Sequence, residues 1–124
     1  MQAAKIRDAD LAHVARMTKL QQLYLYNSPI TDRGMTHLAA LKELKGLRLD
    51  GTQVTDAGLV HLADLQKLEH LDLYNTQVTN DGMTHLAGLQ KLRGLRVNKT
   101  RVTAQGVHEL KKSLPSVYVF LGAI

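Results

Sequence analysis

The sequence predicts an α/β solenoid, a short curved arc with a parallel sheet on one face and helices on the other. Three observations predict it. The 124-residue chain repeats itself with a constant period, which puts Leu20, Leu44, Leu68 and Leu92 in equivalent places. Each repeat opens on alternating apolar residues, the period of a strand, and closes on apolar residues at helical spacing. One such unit cannot bury its apolar face alone, whereas a stack of them can.

The shared frame reads LxxLxLxx(T/S)x(V/I)TxxG(L/M/V), and it holds in four consecutive units, 20–43, 44–67, 68–91 and 92–115. A half unit, 6–19, precedes them; a partial unit follows from Leu114, two residues short of the period, and 116–124 is read as the terminal strand segment. The repeat occupies nearly the whole chain, so a single domain, 1–124, is expected with no linker.

Within each unit the elements follow in order. In the alternating stretch, Leu23 and Leu25, Leu47 and Leu49, Leu71 and Leu73, and Leu95 and Val97 point to one side and form a core. Thr31, Thr55, Thr79 and Thr103 then stand where a helix N-cap is needed, with Asp32, Asp56 or Asn80 next in three units. Leu59, Leu62 and Leu65, and likewise Met83, Leu86 and Leu89, continue as a helix. Gly34, Gly58, Gly82 and Gly106 fall inside the first helical turn. An interior glycine costs about 1 kcal/mol against alanine. Its return in every unit predicts that a side chain there clashes with the neighbouring turn.

This frame resembles the leucine-rich repeat family, whose repeats run roughly 20–29 residues. The closest variety is the ribonuclease-inhibitor-like or cysteine-containing class found in F-box and many bacterial proteins. Ser28, Thr52, Thr76 and Thr100 stand where many relatives carry Asn or Cys. The resemblance implies a right-handed β-α leucine-rich-repeat solenoid, with the sheet concave and the helices convex. It also implies protein–protein interaction as the role.

Residues between the buried leucines face solvent and carry the information. They are Gln22, Tyr24 and Tyr26; Gly46, Arg48 and Asp50; His70, Asp72 and Tyr74; Gly94, Arg96 and Asn98; and, on the last strand, Ser116, Tyr118 and Phe120. All five aromatic residues fall on this surface, which the core pattern does not require. The middle column is expected to read Tyr24, Arg48, Asp72, Arg96, Tyr118, so that Asp72 can pair with either arginine. Tyr and Arg are enriched at binding hot spots. The candidate binding residues are therefore Tyr24, Tyr26, Arg48, Asp50, His70, Asp72, Tyr74, Arg96, Asn98 and Tyr118, presented to a protein or peptide. The alternative is an architectural or designed repeat scaffold without a native ligand, a reading that the near-identical units also suit.

Other chemistry finds little support. Alternate residues on a strand lie about 6.5–7 Å apart, too far for a direct His70–Asp72 hydrogen bond. No serine stands beside His70, and there is no cysteine, so a nucleophile–base pair is missing. A non-enzyme with no cofactor and no small-molecule substrate is expected. His13, His37, His61 and His85 recur with the period of the repeat, on the helical side. Helices pack about 8–10 Å apart, whereas two ligands of one zinc must each lie about 2 Å from it, so no metal site is expected. Residues 91–112 hold seven bases and one acid (+6), leaving nine bases and ten acids elsewhere (−1). This basic end could attract an acidic protein or a nucleic acid, but the bases fall on different sides of the unit, and nucleic acid is the weaker reading.

No run approaches the ~18 apolar residues of a membrane span. The first five residues lack the apolar core of a signal peptide, and a cytoplasmic location is expected. Val117 to Leu121 is expected as an apolar edge strand. Unprotected edges invite pairing, so either a homodimer through this edge or continuation in a longer chain would cover it.

Overall fold

Alternating leucines form strands here because each repeat hands its backbone bonds to the next. The computed structural model describes residues 6–122; residues 1–5 lie outside it, as do Ala123 and Ile124 at the end of the expected terminal segment. Five short strands, β1 (Gln22–Tyr24), β2 (Gly46–Arg48), β3 (His70–Asp72), β4 (Gly94–Arg96) and β5 (Tyr118–Phe120), pair in chain order as one parallel sheet. The register follows the sequence period without a slip, from Leu23 through Leu47, Leu71 and Leu95 to Val119. Leu25, Leu49 and Leu73 extend the ladder by donating N–H bonds of 2.8–2.9 Å to the carbonyls of Arg48, Asp72 and Arg96. The inward leucines of the first four strands are all buried in one core.

The helical layer is tighter than expected. Helices α1 (Leu11–Val14), α2 (Asp32–Met35), α3 (Asp56–Leu59) and α4 (Asn80–Met83) are single turns. After α2, α3 and α4 the chain winds into 3₁₀ helix, at Thr36–Ala40, Val60–Leu62 and Thr84–Leu86. The reason lies in the spacing. Leu59, Leu62, Leu65 and Leu68 are buried at intervals of three, which is the 3₁₀ period and not the α period. In the last unit Leu110 and Leu114 are four apart and buried. There α5 (Ala104–Ser113) runs uninterrupted.

Strands β1 to β4 are each followed by a tight turn with one residue in the left-handed region. Asn27, Asn75 and Lys99 have φ of 57° and Gly51 has 73°. These four positions are equivalent in the repeat and form a column. Asn and Gly accept this conformation; most other residues pay about 1–2 kcal/mol for it. Lys99 is the misfit. Lys99→Asn is expected to raise stability by about 0.5 kcal/mol after allowing for its lost ring contact. A shift in the urea midpoint at unchanged slope checks it. In the same turns Thr52 and Thr76 are buried and donate to the carbonyls of Leu49 and Leu73, each at 2.7 Å.

The residue after each N-cap threonine performs an unexpected task. Thr31, Thr55 and Thr79 do cap α2, α3 and α4, accepting from the N–H two residues on. Yet Asp32 reaches into the next unit. Its carboxylate accepts the Thr55 N–H at 2.7 Å and the Thr55 hydroxyl. Asp8 holds Thr31, and Asp56 holds Thr79, in the same way. In the last rung Asn80 replaces Asp: it accepts the Thr103 N–H at 2.9 Å and donates to the hydroxyl. Thr103 accordingly makes no side-chain cap. These rungs explain the recurring glycines. A Cβ on Gly34, Gly58, Gly82 or Gly106 would overlap Asp8, Asp32, Asp56 or Asn80 respectively. The clash is with the rung of the preceding unit.

On the opposite side, Lys67 Nζ lies 2.8 Å from Glu43 Oε1. That hydrogen bond holds the Glu43 carboxyl below its ordinary range. The pair is exposed and so contributes weakly. What it contributes is present above the ordinary carboxylate range and lost as pH falls through the depressed folded value.

Candidate binding face

The exposed side of the sheet is arranged in columns set by the register. The first is Gln22, Gly46, His70, Gly94, Tyr118 and the second is Tyr24, Arg48, Asp72, Arg96, Phe120. This corrects the expected position of Tyr118. Leu114 is the buried C-cap of α5 and does not start a new unit, so the last strand keeps the full period. Phe120 therefore joins the charged column, and Tyr118 stands beside Gly94. Ser116 precedes the strand. Tyr118 and Phe120 are 69% and 46% exposed, the most open of the aromatic residues.

A second correction concerns Asp50, expected on the open face. It is 8% exposed, tucked into the turn after β2 beneath its own strand's arginine. Arg48 donates to it through both Nε (3.1 Å) and Nη2 (2.8 Å). This fork raises the Arg48 pKa above its ordinary value, with the Asp50 hydrogen bond as the leading cause. Asp50 thus orients Arg48.

Asp72 joins the two arginines. Its Oδ2 lies 3.8 Å from Arg48 Nε and 3.3 Å from Arg96 Nη1, and its Oδ1 accepts the Tyr74 N–H at 2.9 Å. Each guanidinium is stacked on a tyrosine from the unit before it, Arg48 on Tyr26 at 4.5 Å and Arg96 on Tyr74 at 4.4 Å. Arg96 also approaches the Phe120 ring at 5.8 Å and bonds Asn98 Oδ1 at 3.2 Å. Aromatic, cation and carboxylate alternate, so each fixes its neighbour's rotamer. Tyr24 and His70 stand outside the chain of contacts: Tyr24 bonds Gln22 at 3.4 Å, and His70 is exposed in the first column.

The face repeats at twice the unit length. Tyr26 and Tyr74, Gly46 and Gly94, and Arg48 and Arg96 are each separated by two full units. Strands carrying Gly and Arg thus alternate with strands carrying larger first-column residues. At Gly46 and Gly94 the missing side chains leave room across which Gln22 and His70 lie. The result is an open groove of about 400 Å³ running from Gln22 and Tyr24 to Tyr118 and Phe120, floored by Leu47, Leu71 and Leu95.

The histidine column runs along the other layer, with His13 exposed and His37, His61 and His85 half-buried. Among the described residues no group of three or more His, Asp or Glu is placed to hold a metal ion. Among the same residues, no helix is long and apolar enough to cross a membrane.

Similarity to known proteins agrees with this architecture. A family profile described as Leucine Rich repeat matches residues 64–87, and the solved structures that share the fold are proteins of the same kind. The chain has the leucine-rich-repeat fold. Internalin C2 of Listeria monocytogenes superposes with a TM-score of 0.66 at 28% identity, over 86% of this chain and 44% of its own. Internalin F of the same organism gives 0.59 at 26% identity, over 91% and 38%. A leucine-rich-repeat protein of Leptospira interrogans gives 0.68 at 22% identity, a likeness of fold, over 87% and 27%. The chain thus spans less than half the length of each of these leucine-rich-repeat structures. No curated protein sequence matches it.

Proposed function

We propose that the exposed strand face is a non-catalytic binding site for a protein or peptide. Leucine-rich-repeat folds serve generally as protein-binding modules. The observation that carries the reading for this chain is the continuous network from Tyr26 through Arg48, Asp72 and Arg96 to Phe120. Side chains already held in place lose little entropy when a partner docks. An open groove beside such a network offers surface contact more than a water-excluding cavity for chemistry.

Tyr24 and Tyr74 lie at either side of Arg48 and are proposed as anchors, with Tyr118 and Phe120 at the far end. The double substitution Tyr24→Ala with Tyr74→Ala is expected to weaken partner binding by more than about 3 kcal/mol, two hot-spot losses. Comparative pull-downs from lysate with quantitative mass spectrometry measure it. Partners recovered equally by both forms would leave only the architectural reading.

A further inference from the structure

The two arginines of the strand face are copies in the doubled repeat, but they are not equally satisfied. Arg48 meets a carboxylate side-on, with Asp50 taking Nε and Nη2 together. Arg96 meets an amide in the same place. Asn98 accepts from Nε, Asp72 accepts from Nη1, and Nη2 has no acceptor among the described residues. An amide has one acceptor oxygen where a carboxylate has two, so Asn98 cannot close the fork. The charges differ as well. Arg48 is shared between Asp50 and Asp72, whereas Arg96 has only its share of Asp72. Lys99 adds a further positive charge, its Nζ 5.9 Å from the Tyr74 ring. The Arg96 side chain remains 40% exposed between the Tyr74 and Phe120 rings.

We propose that Arg96 receives the side-chain carboxylate of an aspartate or glutamate in an extended segment of a protein partner. The incoming group takes against Arg96 the place that Asp50 takes against Arg48. The assignment rests on the reading of the strand face as a peptide-binding site, and names the chemistry of its partner. The groove suits such a segment. Four inter-strand steps of about 4.8 Å span roughly 19 Å, the length of about five or six extended residues. The strand backbone at Leu47, Leu71 and Leu95 forms its floor. A nucleic-acid backbone would ask for a row of free cations, and of the two arginines in the second column one is already closed by Asp50.

A library of linear peptides, displayed without free C-termini, would be panned on the full chain. The enriched peptides are expected to share an Asp or Glu. Changing that residue to Asn or Gln, or Asn98→Asp in the protein, is expected to weaken binding at least about tenfold. Asn98→Asp recreates the Arg48–Asp50 pair and is expected to leave the thermal midpoint no lower. Enriched peptides that lack an acid, or that bind Asn98→Asp undiminished, overturn the carboxylate assignment. If those peptides are still lost on Tyr24→Ala with Tyr74→Ala, the strand-face reading survives. Peptides indifferent to the tyrosines, or no enrichment at all, overturn both. Displacement of the acidic peptides by polyuridylate at equal charge concentration would assign Arg96 to phosphate instead.

Discussion

Gly82→Ala is expected to destabilise the protein by about 3 kcal/mol, although alanine is the better helix former by about 1 kcal/mol. The sign reverses because the space is taken. A Cβ at position 82 overlaps the Asp56 carboxylate and presses on Leu59. Asp56 must then leave the Thr79 N–H and hydroxyl that it holds across the repeat junction. Hydrogen bonds to a charged group contribute about 1.5–3 kcal/mol each. Gly88→Ala is the control: nothing stands within 4 Å of its Cβ, and the change should be neutral or slightly stabilising. Chemical denaturation of both variants, with Asp56→Ala alone and combined with Gly82→Ala, completes a double-mutant cycle. The two changes act on one rung and should fall well short of additive. Additive effects would place the strain elsewhere.

Asp72→Ala is expected to cost about 2 kcal/mol of stability and to disorder the strand face. It strips a shared counter-charge from Arg48 and Arg96 and leaves the Tyr74 N–H without its acceptor. The cost stays moderate because both arginines are part-exposed and can turn to water. Asp72→Asn retains an acceptor for the Tyr74 N–H and should cost about half as much. The ratio between the two variants separates the backbone bond from the ion pairs. Equal losses would mean that charge alone matters. Fluorescence anisotropy of the tyrosines reads the disorder directly.

Strand positions, the buried leucines and the stacking order were legible because they depend on period alone. A side chain two residues from Leu23 faces the same way whatever its neighbours are. The helical segment was less so. Leu59, Leu62 and Leu65 suit a helix of either kind, and only the interval of three, kept through Leu68, selects the tighter one. The Asp–Thr rungs were hidden, since Asp32 next to a cap invites a dipole reading and nothing local says that it bonds Thr55 in the following unit. The left-handed column was visible in Asn27, Gly51 and Asn75 but broken by Lys99. On the face, counting from Leu114 misplaced Tyr118, while counting one full period from Arg96 arrives at Phe120. Asp50 misled for a different reason: alternation ends with the strand, and the turn beyond it folds its carboxylate under Arg48.

The doubled period has a bearing on how such a molecule could be lengthened or shortened. A strand bearing arginine needs a non-arginine strand on either side, as Asp72 stands between its two. Excising the unit at 68–91 would bring like charges onto adjacent strands, and inserting a lone copy of 44–67 would do the same. Viable relatives of this ribbon would be built by gaining or shedding couplets, and odd-numbered edits in its middle would be weeded out by electrostatic repulsion.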